Sequence, residues 1–229
     1  MLLSLPNARY ERKFLATGMS IAEALALVRA HRAAFRQIYP ARTVNSLYLD
    51  SPSLGDYTTH VNGASVRSKT RVRWYGDNDC SCDSFILERK FKSGAVSGKT
   101  QHALACGAEA TTDVATRLIA FLNSADLPEA FRIAVRGRVP IVISRYRRHY
   151  FVSRDSRFRV TVDNDLRFDN VWTGRAASLG GGRLPGVTVI ELKYVPGEAA
   201  DADRVTGGLP FRLGRFSKYV RGVEMIRGV

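Results

Sequence analysis

The sequence predicts an α+β fold: a mostly antiparallel sheet curled into a barrel with a charged interior, and helices on its apolar outside. Three observations predict it. Strands far outnumber helices and follow one another as hairpins, which makes neighbours antiparallel. Strand after strand alternates apolar with charged residues. The charged side is mainly Arg and Lys, and curling the sheet would converge those cations and focus their field.

The elements follow in order. Arg9–Leu15 reads as a first strand. Ser20 and Glu23 make a capping box ahead of the apolar-periodic run Ile21–Phe35, so a helix is expected there, closed before Pro40. Val44–Asp50 alternates as a strand, and Ser51–Gly55 turns. Ser65–Tyr75 and Phe85–Lys92 form a hairpin around Gly76–Asp83, followed by a Gly/Ser loop over Ser93–Lys99. Thr111–Val135 is helical with a break at Asp126–Pro128. Pro140–Phe151 and Arg157–Phe168 form a second hairpin around Ser153–Ser156. Leu179–Gly186 is a Gly-rich loop, Val187–Tyr194 a strand, and Arg215–Met225 a short basic helix. No Pro/Gly/Ser-rich linker divides the chain, so residues 1–229 are expected to form one domain.

The strand faces carry the functional signal. Arg67, Lys69, Arg71 and Arg73 share one side of a strand whose other side is Val66, Ser68, Thr70, Val72 and Trp74. The same division sets Arg9, Glu11 and Lys13 together, then Glu88, Lys90 and Lys92, then Arg157, Arg159, Thr161 and Asp163, then Glu191 and Lys193. A half-solvated sheet explains any one of these strands. It explains the set less well, because like charges directly opposed on a sheet repel by a few tenths to about 1 kcal/mol per pair. A polyanion would neutralise such a face. The few carboxylates among the cations, Glu11, Glu88, Asp163 and Glu191, serve either as local salt bridges or as holders of Mg²⁺ or Mn²⁺, hard ions that combine a few carboxylates with phosphate oxygens.

Composition narrows the classes. The 229 residues hold 35 Lys+Arg against 21 Asp+Glu, a formal charge of +14, with 28 Arg and 7 Lys; apolar residues make up 45%. That much apolar content supports a packed core and excludes a disordered chain. Planar guanidinium forks suit phosphate oxygens. No apolar run approaches the roughly 20 residues that span a bilayer, and the first residues lack the pattern of a secretory signal, so a soluble cytoplasmic protein is expected. Cys80, Cys82 and Cys106 form no disulfide framework and lack partner ligands for a metal. His31, His60, His102 and His149 are scattered, and Gly180–Gly182 lacks the strand–loop–helix setting of a phosphate cradle. Nucleic acid is not expected as a partner, since no aromatic stacking platform is evident: Tyr48, Trp74 and Tyr75 lie on strands and read as core.

Motifs in order along the chain carry a resemblance: RYERKF (Arg9–Phe14), VNSLYLD (Val44–Asp50), Leu54 with Tyr57, KTRVRWYG (Lys69–Gly76), LERK (Leu87–Lys90), SGKT (Ser97–Thr100), Tyr146–Phe151, RFRVTVD (Arg157–Asp163), VIELKY (Val189–Tyr194) and RFSKY (Arg215–Tyr219). The sequence resembles bacterial VTC domains, the catalytic modules of polyphosphate polymerases within the triphosphate tunnel metalloenzyme (CYTH-like) superfamily. The resemblance implies an eight-stranded antiparallel β-barrel enclosing a tunnel. It implies phosphate contacts from Lys13, Arg71, Arg73, Lys90, Lys99, Arg148, Arg159, Arg215, Ser217 and Lys218, with Arg147 the fallback for Arg148. Lys69 and Lys193 stand on the same charged faces and join that set. Glu191 would be the main metal ligand, helped by Glu11. Arg9 stands where the wider superfamily has a first metal-binding glutamate, which favours the polymerase branch, and Arg215 replaces a common lysine.

The implied reaction is metal-dependent transfer of the terminal phosphoryl of ATP to a polyphosphate chain. Arg71, Arg73, Arg148, Arg159 and Lys90 would act on the transferring group. Two other outcomes share the same donor site: a triphosphatase with water as acceptor, and a non-catalytic polyphosphate or inositol-phosphate sensor.

Overall fold

A computed structural model describes residues 10–76, 84–93, 96–105, 114–124, 126–172 and 180–228. Cys80, Cys82, Cys106 and most of the expected Gly76–Asp83 turn lie outside the described residues. The strands are β1 (Tyr10–Thr17), β2 (Arg36–Asp50), β3 (Val66–Tyr75), β4 (Ser84–Ser93), β5 (Val96–Ala105), β6 (Val139–Val152), β7 (Arg159–Asn170), β8 (Gly181–Leu184), β9 (Val187–Tyr194) and β10 (Arg212–Leu213). The helices are α1 (Ile21–Ala30), α2 (Gly55–Val61), α3 (Val114–Ser124), α4 (Glu129–Val135), α5 (Ala199–Gly207) and α6 (Lys218–Arg227). The fold is thus α+β with a mainly antiparallel sheet.

The expected closure is not found. The sheet has ten strands in the order β10-β1-β9-β7-β6-β2-β3-β4-β5, with β8 on β7. Among the described residues the terminal strands β10 and β5 do not pair with each other, so the eight-stranded closed barrel is corrected to an open ten-stranded sheet. Eight strands is what the resemblance implies; the residues themselves hide two of the ten for a local reason. The Gly/Ser content of residues 93–99 and of Gly180–Gly182 reads as loop, yet both segments contribute to strands, β5 and β8. Gly181 fits β8 because its φ is +110° and a Cβ there would meet the Phe168 carbonyl oxygen at 2.0 Å.

The chain divides into two compact units: residues 1–42, 146–166 and 183–216, and residues 43–145, 167–182 and 217–229. Each has its own core. In the first unit Phe14, Val28, Phe151, Val160, Ile190 and Leu192 are buried together, from β1, α1, β6, β7 and β9. In the second, Leu47, Val72, Trp74, Leu87, Leu118 and Phe131 do the same for β2, β3, β4, α3 and α4. The apolar side of each alternating strand faces these cores, which leaves its charged side for the site.

Several elements depart from the sequence reading. The Ser20–Glu23 capping box is present, but α1 ends at Ala30. His31 leaves the helix because its ring accepts the Ala33 N–H and donates to the Val205 carbonyl, both at 3.1 Å. Strand β2 begins at Arg36 and runs through Pro40; its first half is exposed or half-buried, whereas Val44–Asp50 is buried at every position, so only the second half reads as a strand from its sequence. Helices α2 and α5 were not expected.

Helix α6 is held to the second unit by two features. Gly222 packs where an added Cβ would stand 2.8 Å from Phe168 Cδ1 and 3.0 Å from Val142 Cγ2. The Tyr219 hydroxyl donates to the carboxylate of Asp50, which is 1% exposed. Asp50 also accepts the backbone N–H groups of Ser51, Asp56 and Tyr57, so its buried charge is hydrogen-bonded throughout.

Candidate functional site

In the first unit the register of β1, β9 and β7 builds a checkerboard of charge. Lys13 lies opposite Glu191, and Glu191 opposite Thr161. One residue pair along, Glu11 lies opposite Lys193, and Lys193 opposite Arg159. Directly opposed residues share a face, so all six point the same way. The contacts follow from that layout. Glu191, 7% exposed, receives Lys13 Nζ at 3.1 Å and Lys193 Nζ at 3.2 Å, and Lys193 also reaches Glu11 at 3.8 Å. Lys13 Nζ donates to the Phe216 carbonyl at 3.2 Å as well.

Arg148 is buried on β6 and binds Asp163 through Nε and Nη2, each at 2.6 Å. Burial works against the guanidinium charge, but Asp163, Tyr146 and Glu191 raise its pKa well above the ordinary value. It is therefore a permanent cation with Nη1 still able to donate. Its neighbour Arg147 is exposed, on the alternate side of the strand. Arg159 and Arg215 are exposed.

In the second unit β3, β4 and β5 set their residues in rows. Lys69, Lys90 and Lys99 stand opposite one another across the three strands. The next row is Tyr48, Arg71, Glu88 and Gln101. Arg73 follows, opposite Ser46. Glu88, 1% exposed, is the hub: Arg71 Nε lies at 2.7 Å, Lys99 Nζ at 3.4 Å and an Arg73 Nη at 3.6 Å. Gln101 donates to it as well. Burial alone would raise the Glu88 pKa, but Arg71, Arg73 and Lys99 pull it down to about 2. Arg73 Nε is buried without a hydrogen-bond partner among the described residues.

The start of α6 joins this second cluster. Ser217 caps the helix by accepting the Val220 N–H, and its hydroxyl receives Lys69 Nζ at 2.8 Å. Lys218 is buried. The Tyr48 hydroxyl shows where these cations converge: burial would raise its pKa, yet Arg71, Lys218 and Arg73 lower it.

Of the expected residues, Lys13, Lys193, Glu11, Glu191, Arg148 and Arg159 therefore meet in the first unit, and Lys69, Arg71, Arg73, Lys90, Lys99, Ser217 and Lys218 in the second. Arg215 joins neither cluster through an ion pair among the described residues. Gln101 escaped the sequence reading, while Glu88 and Asp163, read there as acids that either bridge cations or hold an ion, turn out to be the hub of the second cluster and the partner of Arg148. Glu88 and Asp163 were visible as acids among cations, but cross-strand register decides whom they meet.

A hard divalent ion fits the first cluster. Among the described residues no group of three or more His, Cys, Asp or Glu is assembled for a metal. Mg²⁺ and its relatives need less, being held by one or two carboxylates plus substrate phosphates and water. Glu11 and Glu191, gathered on one ammonium, supply that donor set. The Thr161 hydroxyl oxygen opposite Glu191 is buried without a hydrogen-bond partner among the described residues, a further oxygen on the same row.

The VTC domain family model matches residues 8–227. No curated protein matches the chain. Solved structures share the fold at low identity. A proposed adenylate cyclase from Bacillus halodurans is 14% identical, with a TM-score of 0.53 over 92% of this chain and 95% of that one. Another, from Vibrio parahaemolyticus, is 11% identical, with a TM-score of 0.51 over 93% and 97%. A protein from Pyrococcus horikoshii is 13% identical, with a TM-score of 0.50 over 94% and 99%.

Proposed function

The chain belongs to the VTC domain family, and from that premise we propose that it is a polyphosphate polymerase, transferring the terminal phosphoryl of ATP to a polyphosphate chain with the help of Mn²⁺ or Mg²⁺. One family model spans both units, which supports reading them as a single catalytic domain. The observation that carries the proposal is the row Lys69–Lys90–Lys99 beside the Arg71–Glu88 pair. Three ammonium groups opposed across adjacent strands repel one another, and a chain of phosphates is the ligand that relieves them at every position.

The residues divide by task. Arg71 and Arg73 grip a phosphate through guanidinium forks that Glu88 keeps in place. Lys69, Lys90, Lys99, Ser217 and Lys218 bind successive phosphates of the chain, with Arg215 a further phosphate ligand. In the first unit Lys13, Lys193, Arg148 and Arg159 bind phosphate oxygens around Glu191 and Glu11, which hold the ion. When bound, the ion neutralises charge on those oxygens.

The attacking group is a terminal phosphate oxygen of the acceptor chain. It forms the new P–O bond as the bond from the γ-phosphorus to the bridging oxygen breaks, and ADP leaves with that oxygen. The acceptor is already an oxyanion, so no side chain need take a proton; positioning and charge neutralisation supply the rate.

Among the described residues no helix is long and apolar enough to cross a membrane, and a cytoplasmic site would give access to ATP. The test is incubation with ATP and Mn²⁺ followed by separation of the products. Lengthening phosphate chains are expected, and release of free phosphate alone would instead make the protein a triphosphatase.

A further inference from the structure

Beside the checkerboard of the first unit lies an aromatic corner that the phosphate chemistry does not use. Tyr39 on β2 is 55% exposed, unusual for so large an apolar ring. Its ring meets that of Tyr150 on β6 edge-to-face, with centroids 5.8 Å apart and planes at 87°. The Arg42 guanidinium lies 5.0 Å from the Tyr150 ring centre and 6.0 Å from that of Tyr39. Arg42 Nε donates to the Tyr150 hydroxyl at 3.1 Å, which fixes the angle between the guanidinium and that ring. The result is a preorganised set of three planar groups with one aromatic ring largely open to solvent.

Its position relates it to phosphate. Tyr150 follows Arg148 by two residues on the same strand, so the two side chains leave the same face about 7 Å apart. That separation is on the order of the span from a phosphate across a ribose to its base, and grooves that bind nucleotide chains pair cations with stacking aromatics. More than half of Tyr39 is open to solvent, so a flat ligand can reach its ring, and the Arg42 guanidinium over that ring adds a cation–π partner.

We propose that Tyr39, Arg42 and Tyr150 form a stacking site for the nucleobase of the phosphoryl donor. The inference rests on the reading that Arg148 binds phosphate and adds the base to it. Stacking accepts any base with a π-face, so ATP and GTP should bind alike.

The test measures binding of ATP and of inorganic tripolyphosphate to the full chain by calorimetry, since only the first carries a base. Tyr39→Ala is expected to weaken ATP about 5- to 30-fold while leaving tripolyphosphate within about two-fold. Tyr39→Trp should restore ATP binding, which a merely structural role for Tyr39 would not explain. If Tyr39→Ala changes both ligands equally, or changes neither, the stacking site is overturned while the phosphate reading stands. If the wild-type protein binds neither ligand, the phosphate reading fails and the stacking site with it.

Discussion

Replacing Glu88 by Gln removes one charge from the centre of the second cluster and nearly nothing of its shape. The buried carboxylate has a pKa of about 2 in the folded protein against an ordinary 4.5. A depressed carboxylate contributes stability above its unfolded pKa and loses it as pH falls through its folded one. Here the window runs from about pH 4.5 down to about pH 2. A shift of this size corresponds to about 3 kcal/mol at pH 7. The same linkage leaves about 1.4 kcal/mol at pH 3 and less than about 0.5 kcal/mol at pH 2. For a chain of this length the pH 7 deficit translates to about 6–12 °C in Tm. The assay is thermal denaturation of wild type and Glu88→Gln at pH 7, 4 and 3. A large gap is expected at pH 7, narrowing steadily below pH 4.5, because a protonated Glu88 resembles Gln. Equal Tm values at pH 7, or a gap that stays constant into acid, would refute the reasoning.

Other perturbations probe the remaining contacts. Glu191→Gln removes the carboxylate gathered by Lys13 and Lys193 and should abolish metal-dependent turnover; polyphosphate binding, followed by calorimetry, should persist. Tyr219→Phe takes one donor from the buried Asp50 carboxylate and should cost about 1–3 kcal/mol, read from denaturant midpoints. The Tyr219 hydroxyl is pushed upward in pKa by burial and by Asp50, so it stays a donor and this loss should not vary between pH 6 and 9. Gly222→Ala forces a methyl against Phe168 and Val142, should cost about 1–3 kcal/mol, and should weaken tripolyphosphate binding by displacing Ser217 from Lys69.

Much of this was legible in the residues because alternation is a local property. Arg67 to Arg73 on one side of β3, with Val72 and Trp74 on the other, announces a half-charged strand without any knowledge of its neighbours. The Ser20–Glu23 box is equally local and is found as expected. Register is not local. Nothing in the LERK segment says that Glu88 stands opposite Arg71 rather than a residue away, or that Lys90 lies between Lys69 and Lys99. Two strands stayed hidden for a related reason: Gly98 and Gly181 read as breakers, yet each sits in a strand because of what lies across from it. At Gly98 a Cβ would collide with the Phe91 ring at 2.2 Å, so the glycine that suggests a loop is what lets β5 pair with β4. Tyr39 escaped because the first half of β2 is exposed and carries no buried pattern.

The most direct test is a crystal structure of the protein soaked with Mn²⁺ and tripolyphosphate, with anomalous data collected at the manganese edge. A manganese peak is expected on the Glu191 carboxylate, with phosphate density reaching the lysines and arginines that surround it. A peak elsewhere, or phosphate bound only away from both charged faces, would contradict it.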